Sequence, residues 1–230
     1  MTTTQDVALY GHWICPYSTR VEFALHQRQI DHGVVDVPPL AVRGTDFELP
    51  AAFIAHSPRL EIPMVRVEDD YLADSIPILE WLERRLPDHP LLPADPDEAA
   101  RVRDRVAWVD RHVFRPMIGI YYGTDPDRIR AAGDLLVDAL DDMASWLAVH
   151  EWLGGAEPSL VEAVIVPFYV RLDGLRRLGF DQQMPIPVED HARNCTDLVG
   201  WPAVAWSAAQ TDEFVGRFEA HRRLRARERT

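Results

Sequence analysis

The sequence predicts an α/β domain of order β-α-β-α-β-β-α followed by an all-helical domain. Three observations carry that prediction. Up to about residue 86, short apolar or β-branched runs alternate with segments of helical spacing. Residues 87–96 contain Pro87, Pro90, Pro93 and Pro96 and read as a linker. Beyond the linker no run reads as a strand. The expected domains are residues 1–86 and 97–230, with residues 87–96 joining them. A chain of 230 residues suffices for two small domains.

Taken in order, residues 7–10 form an apolar run that reads as a buried strand. Residues 16–28 follow helical spacing through Val21, Leu25 and Ile30, and Pro16 suits a first helical turn, where a missing N–H is no loss. Residues 32–37 are β-branched and read as a second strand. Residues 38–58 are irregular, with one helix expected over 46–56. Residues 63–67 and 71–73 read as two short strands turning at Glu68-Asp69-Asp70. Residues 74–86 read as a helix with Ile78, Leu79 and Leu82 toward a core. In the second domain, residues 98–122, 127–150, 159–178 and 188–199 read as helices. Gly154-Gly155 breaks the chain, and Ser159-Leu160-Val161-Glu162 has the capping-box pattern that starts a helix.

Composition narrows the function. The formal charge is −13, which argues against a nucleic-acid or acidic-membrane partner, since phosphate backbones need a basic surface. The basic cluster at residues 221–229 alternates with acidic and apolar residues and reads as a solvated helix end. All 24 basic side chains are Arg, as a GC-rich genome gives. Two cysteines make no disulfide framework, and the first residues do not read as a signal peptide. A reducing cytoplasmic location is expected, with no membrane span and no metal.

Cys15 follows the first strand and opens the first helix. Sulfur there faces backbone N–H groups with no intrahelical partner, and the helix dipole favours negative charge. Both effects stabilise thiolate over thiol, and a thiolate is the effective nucleophile. The alternative is a buried structural cysteine; the strand-to-helix turn followed by Pro favours the reactive one. Cys195 lies inside a helix and reads as packing.

Cys15-Pro16-Tyr17-Ser18 is similar to the redox motif of glutaredoxins, with Ser18 replacing the second cysteine. The layout from Leu9 to about Trp206 resembles a cytosolic glutathione transferase, closest to the omega-like, cysteine-containing branch. That resemblance implies a thioredoxin-like first domain, a glutathione-transferase-like fold, and a twofold homodimer. It implies Cys15 as the catalytic residue. Ile62-Pro63 matches the family's cis-proline, whose preceding backbone pairs with the cysteinyl part of a thiol peptide; a trans proline opening an edge strand is the alternative. Asp74-Ser75 matches the pair that holds a γ-glutamyl group, Ser75 with its carboxylate and Asp74 with its ammonium; simple N-capping is the alternative. Tyr17 and Arg43 complete the implied thiol site, Arg43 for the other carboxylate. Tyr10 or Tyr17 could activate a thiol in place of Cys15.

Trp108, His112, Arg115, Gly119 and Tyr122 recur at three- and four-residue spacing and are expected to share one helix face. With His12 and Trp13 they are expected to border an electrophile site, domain packing being the alternative. The co-substrate implied is glutathione, or another small thiol such as mycothiol in a GC-rich bacterial host. With no second cysteine nearby, Cys15 must be resolved by an external thiol, which favours thiol transfer or deglutathionylation. Isomerisation or conjugation at an activated double bond is the second reading, and a non-enzymatic module the third.

Overall fold

The structure is a computed structural model that describes residues 6–198 and 205–227. The described chain falls into two compact units, the first running to Leu92 and taking in Leu198, the second spanning Pro93–Asp197 and continuing from Ala205. No described helix is long and apolar enough to cross a membrane.

The first unit is built on a four-stranded sheet of order β2-β1-β3-β4, from β1 (Val7–Gly11), β2 (Gly33–Asp36), β3 (Met64–Val67) and β4 (Asp70–Ala73). β1 pairs β2 in parallel across α1 (Pro16–Gln27), while β3 runs antiparallel to β1 and β4 antiparallel to β3. Every residue of β1 is buried because it is an inner strand with both faces covered. The period of two divides it. Val7 and Leu9 pack with Val21 and Leu25 of α1 and with Ile78 and Leu82 of α3 (Ser75–Arg85). Ala8 and Tyr10 face the other way, toward Phe53 of α2 (Ala51–His56), Val37, Met64 and Cys15. Burying side chains such as Val21 and Leu25 contributes about 1.5–3 kcal/mol each. β2 lies at the sheet edge and is mostly exposed, so its β-branched run marks the strand without marking burial.

The helix expected over residues 46–56 is one short turn, Ala51–His56, started by Pro50. The segment after α3 is strapped to this unit. Buried Arg28 donates to the carbonyls of Leu86, Asp88 and His89, and Glu83 accepts from the N–H groups of Leu91 and Leu92 at 3.1 Å. The proline-rich stretch has few N–H donors, and its carbonyls are met by a guanidinium instead.

The second unit is helical. α4 (Pro96–Val109) passes through a π-helical turn at Asp110–Phe114 into α5 (Arg115–Tyr122). α6 (Pro126–Leu147), α7 (Leu160–Arg177), α8 (Ile186–Asp197) and α9 (Ala208–Arg227) follow. Asp95 and Asp125 cap α4 and α6 by accepting two N–H groups each, and both helices carry proline in the first turn. The capping box at α7 forms as its sequence indicates. Its Glu162 is fully buried. It accepts from Leu153 N–H at 2.9 Å, Ser159 N–H at 2.7 Å, Ser159 Oγ–H at 2.9 Å and His191 Nε2–H at 3.3 Å. α9 was expected only as a solvated basic end. It packs Phe214, Val215 and Phe218 inward, and Arg222 donates to the carbonyls of Leu178 (2.8 Å) and Ile120.

Candidate thiol-binding site

The site grows from two turns of the first unit. At the β1–α1 turn, Cys15 N–H donates to the His12 carbonyl at 3.0 Å, and Ile14 N–H donates to His12 Nδ1 at 3.1 Å. Cys15 is the N-cap of α1, as its place before Pro16 predicts. Its carbonyl accepts from Thr19 N–H and Thr19 Oγ–H, both at 3.1 Å. Its sulfur makes no capping hydrogen bond, and the residue is 5% exposed within the apolar cluster of Tyr10, Phe53 and Met64. His12 and Trp13 stack with ring centroids 5.6 Å apart, and His12 Nε2 lies 3.9 Å from Asp36.

At the second turn, the Ile62–Pro63 bond is cis. The Pro63 carbonyl accepts from Asp74 N–H at 3.1 Å, which ties the turn to the start of α3. Asp74 is the N-cap of α3 at φ 82°, a strained left-handed conformation for a non-glycine residue. Its carboxylate does not cap the helix; it lies 3.8 Å from the Arg59 guanidinium. Simple N-capping is therefore not the use made of this side chain. Ser75 follows in the first turn of α3 and is 2% exposed. A helix start without a side-chain cap keeps its dipole available to an anionic ligand.

Between these turns lies a cavity of about 590 Å³ lined by Tyr17, Ser57, Pro58, Arg59, Glu61, Ile62, Pro63, Leu72, Ala73, Asp74 and Pro77. It brings together four residues the sequence singles out, Tyr17, Ile62, Pro63 and Asp74. Cys15 and Ser75 are buried beside those residues and are not part of the lining. Arg43 is placed elsewhere. It donates to the carbonyls of Pro38 at 3.0 Å and Leu60 at 3.2 Å, and its guanidinium sits 6.0 Å from the Phe53 ring centre. The long irregular loop uses this arginine to satisfy its own backbone. The cation on the cavity wall is Arg59, which pairs with Glu61 at 2.7 Å. Sequence reasoning missed both. The signal was a pair of opposite charges immediately before Ile62-Pro63.

Tyr10, the other candidate activator, is buried under Phe53 and Tyr71, and burial raises its hydroxyl pKa.

In the second unit, Trp108 stacks on His112 at 4.8 Å and meets Trp146 of α6 edge-on at 4.4 Å, whose ring Arg105 covers. The expected stripe does not continue along one face. The π turn inserts an extra residue per turn between His112 and Arg115, which shifts the register. Arg115 is exposed. Gly119 faces Ala132 of α6, while Tyr122 packs on Phe218 and His221 of α9.

Residues 14–85 match the family described as glutathione S-transferase, N-terminal domain. The chain is 31% identical over 186 residues to the maleylpyruvate isomerase of a Ralstonia species, covering 75% of this chain and 84% of that one. It is 28% identical over 127 residues to glutathione S-transferase U2 of Arabidopsis thaliana, 53% of each, so it spans about half that relative's length. In fold it is similar to rice GST1 solved in complex with glutathione, with a TM-score of 0.78, 19% identity, and 94% of this chain and 96% of that one covered. The matched stretch runs from the turn before Cys15 through α3, the same stretch that builds the cavity. Together with a relative covered over most of its length, that makes this chain an enzyme of the glutathione S-transferase family.

Proposed function

We propose that the enzyme is a glutathione-dependent isomerase that converts a cis double bond conjugated to a carbonyl into its trans form. The cavity beside Ile62–Pro63 is the observation that carries the thiol assignment. It offers an acid, a base and an uncapped helix start within one wall, which suits the ammonium and two carboxylates of glutathione. In this reading the start of α3 at Ser75 takes the γ-glutamyl carboxylate, Asp74 its ammonium, the Ile62 backbone the cysteinyl unit, and Arg59 the remaining carboxylate. Mycothiol has no γ-glutamyl group and would leave the Asp74–Ser75 corner unused.

Isomerisation is supported by the maleylpyruvate isomerase relative, a name that denotes such a conjugated cis alkene. The glutathione thiolate adds to one alkene carbon, forming a C–S bond, and the alkene electron pair moves to the carbonyl oxygen as an enolate. The former double bond, now single, rotates. The enolate then collapses, the C–S bond breaks, and the trans alkene and thiolate are released. Glutathione is not consumed. Tyr17 supplies a hydroxyl on the cavity wall and the first turn of α1 supplies a positive dipole end, and both favour the attacking thiolate.

A second reading, thiol transfer through Cys15, is favoured by the N-cap position of that residue. There the Cys15 sulfur attacks a glutathione mixed disulfide and the substrate thiol leaves; a second glutathione thiolate then attacks the Cys15–glutathione disulfide, releasing glutathione disulfide and the Cys15 thiolate. Ser18 cannot act as the resolving thiol. The glutathione assignment is tested by calorimetric titration of the full chain with glutathione. Ser75→Ala should weaken binding about ten- to a hundredfold, because a hydrogen bond to a charged group is worth about 1.5–3 kcal/mol. Equal affinity in wild type and Ser75→Ala, Asp74→Asn and Arg59→Ala variants would refute it.

A further inference from the structure

We propose that Glu22, His26 and His32 form a three-ligand binding site for a divalent late first-row transition-metal ion, distinct from the thiol-binding cavity. One ligand atom from each of the three lies within 4.8 Å of the others. The backbone builds this juxtaposition from two sources. Glu22 and His26 stand at i and i+4 on α1, so their side chains share one face. His32 arrives from the turn that leads into β2, with its ring edge-on to His26 at a centroid separation of 4.8 Å.

The His32 ring is already oriented as a metal ligand. Its Nδ1 lies 2.9 Å from the Ile30 carbonyl. A carbonyl only accepts, so Nδ1 carries the hydrogen and Nε2 keeps its lone pair for a metal. An imidazole whose outer nitrogen donates to a backbone carbonyl is the usual second contact of a metal-bound histidine. All three residues are half-buried, which leaves a path for an ion to enter.

Two imidazoles and one carboxylate suit zinc and its neighbours better than magnesium or calcium, which prefer oxygen-only shells. Ligand bonds of about 2.0–2.1 Å in a tetrahedral site put the ligand atoms about 3.3 Å apart. Rotations of three half-exposed side chains close the remaining gap, and the fourth position is left to water. Along α1, Glu22 is about 10 Å from Cys15 at 1.5 Å per residue, so the site does not belong to the thiol chemistry. An ion here would clip the second half of α1 to the start of β2.

The test is titration of the full chain, stripped with chelator, with Co²⁺ as the probe, read by visible absorption and calorimetry. One ion per chain is expected, with d–d bands of a low-coordinate site and no thiolate charge-transfer band. His26→Asn and His32→Asn should each weaken binding by at least about tenfold. Should either variant fold poorly, Ni²⁺ added to the wild type should broaden the imidazole NMR signals of His26 and His32 ahead of those of the other histidines. Absence of binding, a thiolate charge-transfer band, weakening in only one variant, or broadening at other histidines first would each overturn the assignment.

Discussion

Glu162→Ala removes the one acceptor that four donors share. The carboxylate is fully buried and takes the Leu153 and Ser159 N–H groups, the Ser159 hydroxyl and His191 Nε2–H. His191 is held from its other side by the Tyr169 hydroxyl at 2.8 Å, so the ring cannot turn to a new acceptor without breaking that bond. Removing the acceptor strands buried donors at both the capping box and the imidazole. Breaking a buried charge-assisted network in this way costs about 3–5 kcal/mol. Ser159→Ala, which removes the cap hydroxyl and leaves the carboxylate with three donors, costs about 1 kcal/mol. For a chain of this length about 2–4 °C is lost per kcal/mol, so Glu162→Ala should lower the melting temperature by about 6–20 °C. Calorimetry and urea unfolding of both variants measure the difference. A Glu162→Ala loss no larger than that of Ser159→Ala would refute the claim that one carboxylate holds α7, α8 and the preceding loop together.

Alkylation by iodoacetamide of the native protein should label Cys15 well before Cys195. Cys195 is fully buried, and burial together with the Glu162 charge pushes its thiol pKa well up. Peptide mapping by mass spectrometry that found Cys195 labelled first would contradict this. Gly174→Ala should destabilise the helical unit by about 1–3 kcal/mol, since a Cβ there would sit 2.6 Å from the ring of Phe214, itself wedged among Tyr121, Trp206 and Phe218. Wild-type stability in urea would show that Phe214 can move. Arg43→Ala should lower the stability of the first unit while leaving glutathione affinity within about twofold, because both its donors go to the chain's own carbonyls. A large affinity loss would return Arg43 to the thiol site.

Much of this was legible because local signals and tertiary needs agree. The apolar run at β1, Pro16 after Cys15 and the Ser159–Glu162 box each state a local preference that packing does not oppose. The cis bond at Ile62–Pro63 was legible only through the family resemblance. The failures have physical causes. A stripe counted at 3.6 residues per turn does not carry through the π turn at Asp110–Phe114, which ends two residues before Pro116, a residue with no N–H to give to the preceding turn. α9 escaped notice because its surface is dominated by Arg and Glu, while Phe214, Val215 and Phe218 alone anchor it. Arg43 and Arg59 are equally plausible cations in sequence; which one meets the cavity depends on how a long irregular loop folds back on itself. Glu22 and His26 carried the helical spacing of a ligand pair, but His32 joins them only through the turn before β2.

The central claim is that bound glutathione, rather than Cys15, is the nucleophile. The most direct measurement is turnover of a cis-enone acid such as maleylpyruvate by Cys15→Ser, with glutathione at catalytic concentration. The trans product should form at a rate within about tenfold of wild type, with glutathione recovered unchanged. Loss of all turnover in Cys15→Ser while calorimetry still shows wild-type glutathione binding would contradict the account and assign the chemistry to the Cys15 thiolate.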